Sequence, residues 1–162
     1  MSHGANFRSE RLIRAAAPGD DRAIADIYLT ARAKALSFLP MVHSEAETRA
    51  WISYCLIPLS EVQVAVTGQQ IIGFIALMGD EIEQLYIAPD HWGQGVGRQL
   101  ILFAKHKSPE HLALHCFADN TRARRFYERH GFVATGFGDG SGNEEGVPDV
   151  RYEWWGDAGR VR

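Results

Sequence analysis

Cysteine is scarce: Cys55 and Cys116 are the only two in 162 residues. Both stand in apolar runs, so two buried free thiols are expected rather than a disulfide. No CxxC pair exists, which removes the common zinc frameworks. His111 and His115 lie close to Cys116, but strand alternation sends the thiol to the face opposite His115, so no metal is expected. Basic charge is also short. Seventeen Lys and Arg stand against 20 Asp and Glu, a net charge of −3, which argues against a nucleic-acid partner and suits a cationic one. No apolar run reaches the roughly 18 residues of a membrane span. The first residues, Met1 to Arg8, lack the apolar core of a secretory signal. The expectation is a cytoplasmic protein with no membrane partner. The length suits one domain, expected over 10–156, with loose tails at 1–9 and 157–162.

What is present is periodic. Arg11 to Ala15 alternates as a strand, and Ile24, Ile27, Tyr28 and Ala31 recur at helical spacing. Ser44 with Glu47 reads as a capping box for a second helix that turns Trp51, Ile52 and Cys55 inward and stops at Pro58. Val62 to Val66, Ile71 to Leu77 and Glu81 to Ile87 read as three strands joined by short turns, an antiparallel meander. A helix follows Gly97, then a strand from His111 to Phe117. Asp119-Asn120 caps another helix ending at Gly131, before two closing strands. The order predicts one α/β layer protein with a mixed sheet.

The richest segment is Leu85-Tyr86-Ile87-Ala88-Pro89-Asp90-His91-Trp92-Gly93-Gln94-Gly95-Val96-Gly97-Arg98. A strand runs into three glycines and then directly into a helix. Such a helix start offers unpaired N–H groups and a partial positive charge to a phosphate. No Lys-Ser or Lys-Thr pair follows, so this is not a P-loop. The glycine spacing also fails the dinucleotide fingerprint, and a meander precedes the strand.

The run Leu85-x-Ile87-x-Pro89-x-x-Trp92-x-x-Gly95-x-Gly97 resembles the acyl-CoA motif of the GNAT acetyltransferase superfamily. Asn120-x-x-Ala123-x-x-x-Tyr127-x-x-x-Gly131-Phe132 resembles its second signature. Where that motif usually opens on Gln or Arg, this chain has Trp92, which leaves Gln94 and Arg98 to supply the polar contact. The resemblance implies an α/β (α+β) fold with a mixed, mostly antiparallel central sheet and helices on both faces, and transfer of an acetyl group from acetyl-CoA to a primary amine, in a small molecule or peptide, by direct attack in a ternary complex. The alternative is a non-catalytic acyl-CoA-binding regulator, which needs the loop alone.

On that resemblance, Gly93, Gln94, Gly95, Val96, Gly97 and Arg98 hold the cofactor's pyrophosphate, with Trp92 beside them. The backbone of Leu85, Tyr86 and Ile87 pairs with pantetheine along a strand edge that must be splayed open. Asn120 and Ala123 line the same path. Tyr127, seven residues from Asn120 and so on one helical face with it, is the acid for the leaving thiolate. One arginine among Arg122, Arg124, Arg125 and Arg129 reaches the 3′-phosphate. The amine must lose a proton before attack. Glu81 and Glu83 are the candidate bases, with Glu83 favoured. Alternation places both on the face of Leu85 and Ile87. Glu144 and Glu145, in a four-glycine loop between the last strands, suit a cationic substrate, and Phe38, with Leu39 and Met41, forms the opposite wall. A monomer or a homodimer joined by the late hairpin is expected.

Overall fold

A computed structural model describes residues 10–157. The expected tails lie outside that range, apart from Asp157. The chain runs β1 (Arg11–Ala15), α1 (Asp21–Ala35) and α2 (Glu45–Trp51). The last continues through a π-turn (Ile52–Leu56) and a final turn (Ile57–Leu59). Then come β2 (Glu61–Thr67), β3 (Gln70–Met78), β4 (Glu81–Ile87), α3 (Val96–Lys107), β5 (His111–Phe117), α4 (Thr121–Arg129), β6 (Val133–Gly138) and β7 (Asp149–Trp155). Among the described residues the strands form one sheet in the order β1-β2-β3-β4-β5-β7-β6. Every pair is antiparallel except β4–β5. Ser44 Oγ accepts the Glu47 N–H at 3.1 Å and caps α2, while the Glu47 carboxylate pairs with His43 instead of closing the capping box.

The two sheet faces bury separate cores. Ile24 and Ile27 of α1, with Ile52 and Leu56 of α2, cover Val62, Val64 and Phe74. Leu100 and Ile101 of α3, with Tyr127 of α4, cover Ile75, Leu114 and Tyr152. The helices therefore sit on both faces, as the resemblance implies.

Two local irregularities overturn details read from spacing. The first is a β-bulge in β4. Ala76 pairs with Gln84 and Leu77 with Ile82, so Glu83 is an extra residue without a partner on β3. Ile82 and Leu85 consequently face the same core, beneath α3, although they are three residues apart. Glu81 and Glu83 are thereby separated from the face of Leu85 and Ile87, contrary to simple alternation. The second is the π-turn, where the Ile57 N–H reaches back to the Ile52 carbonyl. This widened turn stacks Thr48, Ile52 and Leu56 inward and rotates Cys55 to the surface. Of the two thiols expected to be buried, only Cys116 is.

The parallel pair β4–β5 meets only at its start. Glu81 is registered with Ala113, whose N–H donates to the Asp80 carbonyl at 2.9 Å. Beyond that point the strands splay. His111 braces the closed end: its Nδ1 lies 2.6 Å from Asp80 and its Nε2 3.0 Å from Glu153 of β7. Burial pulls this imidazole's pKa down, but the hydrogen bonds to both carboxylates outweigh it and the net shift is upward. A raised folded value favours the native state fully below the unfolded histidine value of about 6.5. That contribution fades as pH rises through the folded value. Replacing His111 by Asn should therefore lower the melting temperature more near pH 5.5 than near pH 8.5. A pH-independent loss in thermal denaturation would show that the imidazole acts only by packing.

Candidate active site

Two clefts meet where β4 and β5 part. The first, about 380 Å³, runs over the glycine loop between α1, β4 and α4. The second, about 570 Å³, lies on the α1–α2 side of the sheet and reaches the β6–β7 loop. Leu36, Leu85, Tyr86, Asn120, Ala123 and Tyr127 line both.

The edge of β4 explains the first cleft. Ala88 N–H donates to the Ile72 carbonyl on β3 at 2.8 Å. Antiparallel pairs alternate, so Leu85 and Ile87 turn their N–H and C=O groups the other way, toward the gap left by β5. Tyr86 directs its backbone at β3 instead and contributes its ring. Trp92 Nε1 donates to the Ile87 carbonyl at 2.8 Å, which leaves the Leu85 N–H and C=O and the Ile87 N–H along the open edge.

The loop below is built for an anion. Gly93 and Gly95 have φ of +75° and +82°, where a side chain is strained. A Cβ at either would meet nothing within 4 Å, so the space over them is open. Gly97 has a different reason. A Cβ there would lie 3.0 Å from the ring of Phe126, so this glycine lets α3 approach α4 rather than clearing room for a ligand. Gly95 is the N-cap of α3, and the first N–H groups of that helix are free of helical partners. Arg98, Arg122 and Arg129 line this cleft, whereas Arg124 is spent on the Tyr152 hydroxyl and the Ala118 carbonyl. The Gln94 side chain turns back onto Asp90 and His91 and its backbone carbonyl accepts from Arg11 at 2.9 Å, so of Gln94 and Arg98 only Arg98 lines the cleft. The Trp92 ring lies between two cations, the Arg122 guanidinium carbon at 4.1 Å and Lys34 Nζ at 5.3 Å. An unpaired strand edge, a bare helix start and clustered arginines fit an acyl-CoA, with its extended amide arm and pyrophosphate.

At the junction, Asn120 caps α4 by accepting the Ala123 N–H at 3.2 Å, which keeps its amide nitrogen for the cleft. Tyr127 is 8% exposed, and burial drives its phenol pKa far up, with Cys116 and Tyr86 adding to the effect. It is therefore a neutral O–H donor at physiological pH. Cys116 lines the same junction, and its thiol is pushed up to about 12 by burial.

The second cleft is aromatic and acidic. Tyr28, Trp51 and Tyr86 line it together with Glu47, Glu83, Glu144 and Glu145. Arg32 donates to the Tyr86 hydroxyl at 2.9 Å and pairs with Glu145 at 3.3 Å. His43 pairs with Glu144 at 2.8 Å and with Glu47 at 3.3 Å. Hydrogen bonds to Glu144 and then to Glu47 raise its pKa. Glu83 accepts from Ser60 Oγ at 2.7 Å and forms no ion pair among the described residues. Glu81 is 3.0 Å from Arg151 and does not reach this cleft. Phe38 does not line it either, and Phe38 and Met41 are exposed. The expected wall is supplied instead by α1 and α2. Arg32, Tyr28, Glu47 and His43 were not anticipated as site residues. The signal for Arg32 is its position, one turn beyond Tyr28 on the buried stripe of α1.

Among the described residues no cluster of three His, Cys, Asp or Glu could hold a metal ion, and no helix is long and apolar enough to cross a membrane.

Residues 24–132 match the model of the acetyltransferase (GNAT) family. A peptidyl-lysine N-acetyltransferase, YjaB of Salmonella typhimurium strain LT2, is 38% identical over 81 residues, covering 49% of this chain and 55% of that protein. The chain thus spans about half the length of the curated relatives it matches. The solution structure of apo YjaB from Escherichia coli superposes with a TM-score of 0.77 at 26% identity, over 91% of this chain and 99% of that one. The PaiA N-acetyltransferase of Thermoplasma acidophilum, crystallised with coenzyme A, has a TM-score of 0.67 at 18% identity, over 90% of this chain and 99% of that one. That last likeness speaks to the fold alone.

Proposed function

Since the chain belongs to the acetyltransferase (GNAT) family, we propose that it transfers an acetyl group from acetyl-CoA to a primary amine by direct attack in a ternary complex. The observation that carries this reading is the meeting of the two clefts at Leu85, Asn120 and Tyr127. One cleft offers anion and amide partners, the other carboxylates and aromatic rings. Leu85 and Ile87 extend β4 toward the pantetheine amides, while Gly95, Val96, Gly97 and Arg98 receive the pyrophosphate. When bound, the acyl-CoA supplies the activated carbonyl.

Tyr127 holds its proton for the leaving sulfur. Glu83, without a cationic partner among the described residues, takes the proton of the incoming ammonium directly or through water. Cys116 is the nucleophile nearest this junction, but a thiol near 12 stays protonated, which supports direct attack over an acyl-enzyme. The carboxylates of the second cleft outnumber Arg32 and His43, which supports a cationic acceptor. The peptidyl-lysine relatives support a lysine side chain as that acceptor.

The test is thiol release from acetyl-CoA across lysine peptides, free lysine, polyamines and aminoglycosides, with mass spectrometry of the product. The expected result is amine-dependent release with one acetyl group gained by a lysine ε-amine. Coenzyme A binding by calorimetry with no turnover on any of these amines would replace the enzyme by a binding protein.

A further inference from the structure

A third chamber, about 490 Å³, adjoins the acceptor cleft and has no role in holding a small amine. Trp51, Ile82, Glu83, Gln84 and His115 line both spaces, so they form one continuous groove. Two irregularities of the chain shape it. The bulge at Glu83 bends β4 on one side, and the π-turn of α2 widens the helix on the other. Pro58 is the second residue past the π-turn and has no N–H to continue regular helical bonding. Leu59, 68% exposed, and Met78, 49% exposed, line the chamber from α2 and from the end of β3. Cys55 opens into the same chamber and is exposed.

Resting on the acetyltransferase reading above, we propose that this chamber binds an apolar side chain beside the acceptor lysine of a polypeptide substrate. The 570 Å³ cleft already has room for a lysine side chain. A compact polyamine would leave the adjoining chamber unfilled and its apolar lining in water, whereas a polypeptide continues past the reacting residue and covers it. Charge selects the same occupant. Among the described residues Glu47, Glu83, Glu144 and Glu145 outnumber Arg32, His43 and His115 along the acceptor path, so the lysine enters a negative field and the neighbouring residue meets Leu59 and Met78.

The experiment compares two acceptors, Nα-acetyl-lysine methylamide and a lysine peptide with leucine on either side of the lysine. The wild-type chain should show kcat/KM at least about tenfold higher for the peptide, since one buried leucine is worth that factor. Leu59→Glu and Met78→Glu, both at exposed positions, should each lower the peptide value about tenfold and leave the methylamide within about twofold. With coenzyme A bound, the peptide should also slow alkylation of Cys55 by N-ethylmaleimide, while buried Cys116 stays silent. Equal kcat/KM for the two acceptors, equal losses on both in the variants, or unchanged Cys55 alkylation would overturn the proposal. If neither acceptor is acetylated, the lysine-acceptor part of the reading above fails, and protection of Cys55 still decides whether the peptide occupies the chamber.

Discussion

Tyr127→Phe should lower kcat about a hundredfold while leaving the dissociation constant for acetyl-CoA within about twofold. The ring itself belongs to the core: Tyr127 packs edge-on against Phe126 and Phe132 and lies 6.2 Å from Tyr152. Phenylalanine keeps those contacts and removes only the hydroxyl, so folding is preserved and the oxygen alone is tested. That oxygen matters because a thiolate leaving into a closed cleft must be protonated there or bear the cost of a poorly solvated charge. Burial raises the phenol far enough that the proton is present throughout the working pH range. Steady-state kinetics with a lysine peptide, alongside calorimetry with acetyl-CoA, separates the two quantities. An unchanged kcat would remove Tyr127 from proton transfer and leave it a core aromatic.

How legible this site was in the sequence depended on the range over which each part is determined. The glycine loop was readable because its chemistry is local: strand, positive-φ glycines and helix start lie within Leu85 to Arg98. Asn120 and Tyr127 were readable for the same reason, being two turns of one helix. The acceptor wall was not. Arg32 meets Glu145 across 113 residues and His43 meets Glu144 across 101, and no spacing rule reaches that far. Phe38 looked like a wall because it is aromatic and lies between two helices, yet the turn after α1 carries it outward and Trp51 takes its place. The bulge was half legible. Apolar residues at Ile82, Leu85 and Ile87 are spaced by three and then two, and only an inserted residue lets all of them face one core. Cys55 was misjudged because helical periodicity assumes a regular helix, and the π-turn before Pro58 breaks the phase.

The bulge also decides which carboxylate acts on the amine, and this yields the second large effect. Glu83→Gln should lower kcat/KM for Nα-acetyl-lysine methylamide, which does not fill the third chamber, about a hundredfold near neutral pH, whereas Glu81→Gln should change it less than about threefold. Regular alternation would give both glutamates the same surroundings. The extra residue instead sends Glu83 to the acceptor cleft beside Ser60 and leaves Glu81 against Arg151. Glutamine at position 83 can still accept the Ser60 hydroxyl, so the groove keeps its shape while the base is lost. Without a base the variant must capture amine that is already neutral. A lysine amine, near 10.4, gains about tenfold in its neutral form for each pH unit below that value. The deficit of Glu83→Gln should therefore shrink as pH rises from about 7 to 9, because solution increasingly does what the carboxylate did. A deficit that stays constant over that range would assign Glu83 to holding the cation rather than to taking its proton. A larger loss in Glu81→Gln would move the base to the other side of the bulge.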